Sequence, residues 1–152
     1  MISMLTTHTH NISTIWKCPA PLPESLQVNL FSCTVEAGFP SPAEDHIEST
    51  LDINELLIDH PAATFFVRVS GDSMIEAGIH SDDILIVDRS KQAVDGSIVV
   101  ALVNGEYTVK RLSIKKEKIE LRPENSNYKP ICLSGLDELI IWGVVSGLAR
   151  QF

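Results

Sequence analysis

The sequence predicts a compact, mostly antiparallel β fold with short helices and an extended N-terminal arm. Three observations support this prediction: closely spaced β-rich runs after residue 63, an Asn104-Gly105 pair between two of them, and a polar, proline-broken start. Asn-Gly between two β-rich runs is a strong hairpin signal. The predicted strands are Thr64–Ser70, Asp83–Asp88, Ser97–Val103, Glu106–Leu112, Lys118–Arg122 and Leu139–Leu148.

The composition of the 152 residues is typical of one globular domain, with 44% hydrophobic and 21% charged residues. A net charge of −8 argues against direct DNA binding, which needs clustered Lys and Arg. Three cysteines without C-x-x-C spacing, and acidic residues without metal-loop spacing, predict no disulfide, metal or cofactor. The start lacks a signal-peptide pattern, and no apolar run reaches membrane-spanning length. We therefore expect a cytoplasmic protein without a membrane partner.

The first 36 residues differ from the rest of the chain. Thr, His, Ser and Asn dominate the start, and Pro19, Pro21 and Pro23 alternate soon after. Such a segment buries too little apolar surface to offset its lost conformational entropy, so an extended or mobile arm is expected. The arm is too short and proline-broken for a helix-turn-helix domain. Its later apolar residues can still add a strand or dock in a groove: Leu26, Val28, Leu30, Phe31 and Val35.

Two short helices are predicted between the arm and the first strand of the β-rich region. Ser41-Pro42-Ala43-Glu44 is a capping box with proline at the first helical position, and it predicts a helix through about Thr50. Asp52-Ile53-Asn54-Glu55 is a second helix start, with an end expected before His60-Pro61.

The segment from Val69 to Gly78 presents a serine at the start of a short helical turn. The run of β-rich residues stops at Gly71, and a turn over Met74–Ala77 is closed by Gly78. Backbone N–H groups at such a position can stabilise an oxyanion, so Ser73 is a candidate nucleophile. Ser73 and Glu76 also match a capping box, so the serine can equally be a helix cap.

Lys110 lies in the second strand of the predicted hairpin. Alternation places it on one face with Thr108 and Leu112. In an apolar setting, desolvation lowers the pKa of a lysine, and the neutral amine is then a competent general base for a serine. The alternative is a solvated strand residue without a catalytic role.

Five collinear stretches resemble the UmuD-type proteins of the SOS mutagenesis response, which are relatives of the self-cleaving LexA repressors. The spacing of 37 positions between Ser73 and Lys110 also fits this family. The matching stretches are Ala37-Gly38-Phe39-Pro40-Ser41-Pro42-Ala43, Asp52-Ile53-Asn54-Glu55-Leu56-Leu57-Ile58, Ser70-Gly71-Asp72-Ser73-Met74-Ile75, Leu85-Ile86-Val87-Asp88 and Tyr107-Thr108-Val109-Lys110.

This resemblance implies a LexA/UmuD-like catalytic β-fold with a Ser-Lys dyad. Ser73 is the implied nucleophile, Lys110 the general base, and the backbone N–H groups of Asp72 and Ser73 the oxyanion hole. The implied scissile bond is Ala37–Gly38, although UmuD proteins usually have cysteine where this chain has alanine. Cleavage would divide the chain into the arm, residues 1–37, and a peptidase and dimerisation domain, residues 38–152.

The resemblance also implies partners. A RecA filament on single-stranded DNA would stimulate the cleavage, and the shortened homodimer would join a UmuC-like, Y-family polymerase subunit for error-prone lesion bypass. Two other functions stay open: a non-catalytic dimeric adaptor, and a regulator of transcription that forms heterodimers with a LexA-like repressor.

Two further groups of polar residues are candidates for parts of a site. His46, His60 and His80 are alternative bases for Ser73, although none matches a family position with a catalytic role. Asn125-Ser126-Asn127-Tyr128 is a polar loop to which the sequence assigns no chemistry.

Overall fold

The computed structural model describes residues 27–31, 47–116 and 118–152. These residues form a mostly β structure, as predicted. Its one α-helix is α1 (Ile53–Leu57), and 3-10 turns span Pro61–Ala63 and Ile75–Ala77. The strands are β1 (Val28–Phe31), β2 (Ile47–Leu51), β3 (Thr64–Arg68), β4 (Ile84–Asp88), β5 (Ile98–Val103), β6 (Glu106–Lys115), β7 (Lys118–Arg122), β8 (Ile131–Cys132) and β9 (Leu139–Ala149).

Seven strands form one antiparallel sheet in the order β3-β4-β9-β5-β6-β7-β8. The nearly all-apolar strand β9 lies inside the sheet, between β4 and β5. The predicted hairpin joins β5 to β6, and its turn has positive φ angles at Asn104 (48°) and Gly105 (86°). Asn and Gly tolerate this left-handed backbone best, which explains the strength of the sequence signal.

The core consists of two clusters of buried side chains on this sheet. The first surrounds Leu85 and Val87 of β4, which are fully buried, and it includes Met74 directly after Ser73. The second contains Val99, Ala101, Leu112 and Leu121 from β5, β6 and β7. We call the segment from Val69 to Gly78, which contains Ser73, the serine turn. Burial of Met74 therefore anchors the serine turn in the hydrophobic core.

The helix predicted from Ser41 to about Thr50 is wrong in the part that the structure describes. Residues Ile47–Leu51 are strand β2 and pair antiparallel with β1, so Val28 lies opposite Leu51. The capping-box signal is local, whereas pairing with β1 depends on residues about twenty positions earlier. The predicted start of this helix, at Ser41, lies outside the described residues. Of the two possibilities for the apolar residues of the arm, a strand or docking in a groove, the structure shows a strand at Val28–Phe31.

The second predicted helix is confirmed as α1. The Asp52 carboxylate caps it by accepting a hydrogen bond from the Asn54 N–H at 2.8 Å. The helix ends at Leu57, before His60 and Pro61 as expected. None of the helices in the described ranges is long and apolar enough to cross a membrane.

Candidate active site

The chain reversal after β3 holds Ser73 between two left-handed glycines. Gly71 has a φ angle of 94° and Gly78 has a φ angle of 78°, and residues with a Cβ atom rarely adopt such conformations. The 3-10 turn follows Met74, which makes no side-chain capping bond. Ser73 instead uses its hydroxyl oxygen to accept a hydrogen bond from Lys110, so the interpretation of Ser73 as a helix cap is wrong.

Lys110 of β6 reaches the serine from a buried position. Only 9% of the residue is exposed, and Nζ lies 2.9 Å from Ser73 Oγ. Nζ also donates to Thr108 Oγ1 and to the Val109 carbonyl oxygen, both at 2.9 Å. In the described part of the chain no carboxylate forms an ion pair with this amine. Lys110 is therefore not a solvated strand residue.

Burial lowers the pKa of Lys110 from its ordinary value of 10.5. The physical cause is desolvation, because the ammonium loses hydration without gaining a counter-charge. The three acceptors around Nζ are uncharged. A lowered pKa increases the fraction of neutral amine, which is the form able to accept the proton of Ser73 Oγ.

Ser73 and Lys110 lie in a cleft of about 250 Å³. Its lining comes from the end of β3, the serine turn, the start of β6 and Val100 of β5. Four of the lining residues are valines, at positions 67, 69, 100 and 109. Ser73 and Lys110 therefore share this cleft with polar as well as apolar side chains, Arg68 and Thr108 among the polar ones.

The backbone N–H groups of Asp72 and Ser73 donate hydrogen bonds to no other described residue. The Asp72 carbonyl oxygen, in contrast, accepts bonds from the Ile75 N–H at 3.2 Å and from the Asn125 amide at 3.0 Å. Within the described ranges, neither N–H group therefore has an acceptor. Their role as an oxyanion hole stays a prediction.

The sequence matches the Peptidase S24-like family over residues 29–146, which is more than half of the chain. The chain belongs to this family. This S24-like chain is 47% identical over 134 residues to the protein SamA of Salmonella typhimurium, an alignment that covers 87% of the chain and 93% of SamA. It is 44% identical over 113 residues to MucA of Escherichia coli, covering 74% and 77% of the two chains.

A LexA repressor, from Oleidesulfovibrio alaskensis, is 44% identical to the S24-like chain over 117 residues. The match covers 77% of this chain but 56% of the repressor. Together with SamA and MucA, it confirms the resemblance to the UmuD-type proteins and their LexA relatives. The family is one of serine peptidases.

The histidines considered as bases lie elsewhere in the S24-like fold. His60 Nδ1 lies 2.7 Å from Asp88 Oδ2, and Asp88 is buried. His80 Nδ1 lies 2.6 Å from the Arg150 guanidinium. Neither forms a hydrogen bond with Ser73, whose described partner is Lys110. His46 and the predicted scissile pair, Ala37 and Gly38, lie outside the described residues.

The polar loop at Asn125–Tyr128 extends back to residue 123, and this loop (residues 123–128) contacts the serine turn directly, a contact that the sequence did not predict. The Glu124 N–H donates to the Ser73 carbonyl oxygen at 2.9 Å, and the Tyr128 hydroxyl donates to the Asp72 carboxylate. The loop and the turn are about fifty positions apart, so no local spacing pattern links them. The only available signal was the density of small polar residues, which predicts turns rather than long-range contacts.

Proposed function

We propose that this chain is a self-cleaving serine peptidase that uses Ser73 and Lys110 as its dyad. The observation that carries the proposal is the 2.9 Å contact between Ser73 Oγ and the amine of a buried lysine. A serine hydroxyl is a weak nucleophile at neutral pH, and a neutral amine at hydrogen-bond distance activates it. Membership of a serine peptidase family supports the same chemistry.

The first step is attack of Ser73 Oγ on the carbonyl carbon of Ala37, while Lys110 Nζ takes the hydroxyl proton. The N–H groups of Asp72 and Ser73 donate to the oxyanion that forms. The tetrahedral intermediate collapses when Lys110 returns the proton to the nitrogen of Gly38. The peptide bond is then broken, and Ala37 is held as an ester on Ser73.

In the second step, a water molecule attacks the carbonyl carbon of this ester, and Lys110 accepts a proton from the water. Breakdown of the second tetrahedral intermediate returns that proton to Ser73 Oγ and releases the Ala37 carboxylate. The products are the arm, residues 1–37, and the domain at residues 38–152. Small residues on both sides of the bond, Ala37 and Gly38, allow the backbone to approach Ser73 closely.

The biological role that fits best is that of an accessory subunit of an error-prone, Y-family polymerase in the cytoplasm during the SOS response. The 47% identity to SamA and 44% identity to MucA support this role through the UmuD-type family. In this proposal a RecA filament on single-stranded DNA stimulates cleavage, and the protein acts as a homodimer.

The test follows intact mass during incubation of the purified chain at neutral and strongly alkaline pH. Alkaline pH deprotonates Lys110 without help from a filament, so the wild type should produce a species that begins at Gly38. Ser73→Ala and Lys110→Ala should produce none. A wild-type chain that stays intact at alkaline pH and with RecA filaments present contradicts the proposal.

A second candidate function is control of transcription through heterodimers with a LexA-like repressor. The 44% identity to a LexA repressor over 117 residues favours it, because similar domains can share a dimer interface. A binding experiment distinguishes the accessory role from the regulator role. The tagged chain is mixed separately with a UmuC-like polymerase subunit and with a LexA-like repressor, and complex formation is measured. Stable complex formation with the polymerase subunit alone supports the accessory role, and formation with the repressor alone supports the regulator.

A further inference from the structure

The polar loop at residues 123–128 is bonded to the serine turn through both backbone and side chains. The Glu124 N–H donates to the Ser73 carbonyl oxygen at 2.9 Å, and the Glu76 N–H donates to the Glu124 carbonyl oxygen at 2.8 Å. None of the loop residues lines the cleft. The loop therefore supports the turn without occupying the space that a peptide substrate needs.

Asn125 is the buried residue of this loop, with 7% of its surface exposed. Its Nδ2 donates to the Asp72 carbonyl oxygen at 3.0 Å, and its Oδ1 accepts from the Asn127 N–H at 3.0 Å. The second bond fixes the orientation of the amide, because only the carbonyl end can accept from an N–H group. The NH₂ end is consequently directed at Asp72.

The Asp72 carbonyl group belongs to the same peptide unit as the Ser73 N–H. In a planar trans peptide the C=O and N–H bonds point in opposite directions, and the described residues contain no cis peptide. A carbonyl held toward Asn125 thus directs the Ser73 N–H away from the loop. Ser73 lines the cleft, and its N–H donates to no described residue.

We propose that Asn125 is a positioning residue that holds the Asp72–Ser73 peptide so that its N–H faces the oxyanion. This inference rests on the proposed self-cleavage and adds a residue outside the dyad to it. The Tyr128 hydroxyl, which donates to the Asp72 carboxylate, restrains the same residue from the other end of the loop. Asn125 touches no reacting atom and acts only through the orientation of this peptide.

The test compares Asn125→Asp with Asn127→Asp in the alkaline self-cleavage assay. Asn125→Asp keeps the shape and the acceptor for the Asn127 N–H, but it turns an oxygen instead of an NH₂ group toward the Asp72 carbonyl. Asn127→Asp adds the same charge two positions away, on an exposed side chain without a hydrogen bond to a described residue. The first-order rate constant is measured across pH, together with the thermal unfolding midpoint.

The expected result is a loss of about 10- to 100-fold in the limiting rate of Asn125→Asp relative to Asn127→Asp, since one misdirected oxyanion donor costs this much or more. A carboxylate at position 125 also favours the Lys110 ammonium and moves the pH midpoint of the rate profile upward, so the variants are compared by their limiting rates above the midpoint, where Lys110 is neutral in both. Tyr128→Phe introduces no charge, and in that variant the midpoint itself should stay unchanged.

Equal limiting rates for the two variants, with a wild type that cleaves, would overturn the role of Asn125 and leave the proposed function standing. No cleavage by the wild type would overturn both. Tyr128→Phe is the second variant, because it removes one hydroxyl at an exposed position and leaves the fold intact. Tyr128→Phe should slow the reaction less than Asn125→Asp does, without a shift in the pH midpoint. Unchanged limiting rates in Asn125→Asp and Tyr128→Phe contradict the proposal.

Discussion

Lys110 is buried and forms no ion pair with an acidic residue of the described ranges, so its protonation depends on whether the chain is folded. Its pKa in the folded state lies below 10.5 because burial penalises the ammonium. Between the folded and unfolded pKa values the unfolded chain binds more protons, so the stability of the folded state rises with pH through this window. Lys110, the proposed general base, therefore destabilises the folded state at neutral pH.

We expect the double variant Ser73→Ala/Lys110→Met to be more stable than the single variant Ser73→Ala at neutral pH. The difference in stability should shrink as the pH approaches 10.5. The Ser73→Ala background removes self-cleavage, so that alkaline samples stay intact. Thermal unfolding midpoints of both proteins between pH 7 and 10.5 measure the effect. A difference that is independent of pH would show that burial leaves the pKa of Lys110 unchanged.

At the scale of a single element, β9 depends on Gly143. A Cβ atom at this position would lie 2.6 Å from Val87 Cγ1 and 3.1 Å from the Asp88 carbonyl oxygen on the neighbouring strand β4. Such distances force β9 and β4 apart. Because β9 joins β4 to β5 in the sheet, the change would also disturb the strand that leads into the Lys110 hairpin.

We therefore expect Gly143→Ala to lower the free energy of unfolding by about 1–3 kcal/mol, the usual cost of overpacking a close contact. Gly135→Ala is the matched control, since a Cβ there meets no atom within 4 Å. It should change stability by less than about 0.5 kcal/mol. Urea unfolding of the three proteins at neutral pH gives both values, and equal midpoints for the two variants would contradict the role of Gly143.

The elements that were predicted correctly are those with local signals. Asn104-Gly105 fixes a hairpin because both residues adopt positive φ, and Asp52 caps α1 two residues away. The predicted helix up to Thr50 was wrong because β1 provides a pairing partner that local patterns do not contain. Strand β8, at Ile131–Cys132, has two residues and is too short to produce an alternating pattern.

At the scale of the whole molecule, the candidate site is built from segments that are distant in sequence. Ser73 and Lys110 are 37 positions apart, and Asn125 is 53 positions from Asp72. Resemblance to a family identified the first pair, because motifs carry information about tertiary contacts that periodicity lacks. Nothing in the residue pattern pointed to Asn125, whose importance depends on the direction of one amide group.

Arg150, directly after β9, forms an ion pair with Asp83, directly before β4. This ion pair makes the stability of the fold sensitive to acid. Both carboxylate oxygens of Asp83 lie 2.6 Å from the guanidinium, and Asp83 is 2% exposed. The hydrogen bond from Arg150 lowers the pKa of Asp83 from 3.8 to about 2. Its contribution to stability is thus complete above 3.8 and is lost as the pH falls through about 2.

Asp83→Asn should be less stable than the wild type at neutral pH. The thermal unfolding midpoints of the two proteins should converge between pH 3.8 and 2. Asp82→Asn is the matched control, because Asp82 is exposed and asparagine tolerates its positive φ of 73°. Thermal midpoints from pH 6 to 2 measure the convergence. A constant difference between Asp83→Asn and the wild type over this range would show that Arg150 stabilises the fold without depending on the charge of Asp83.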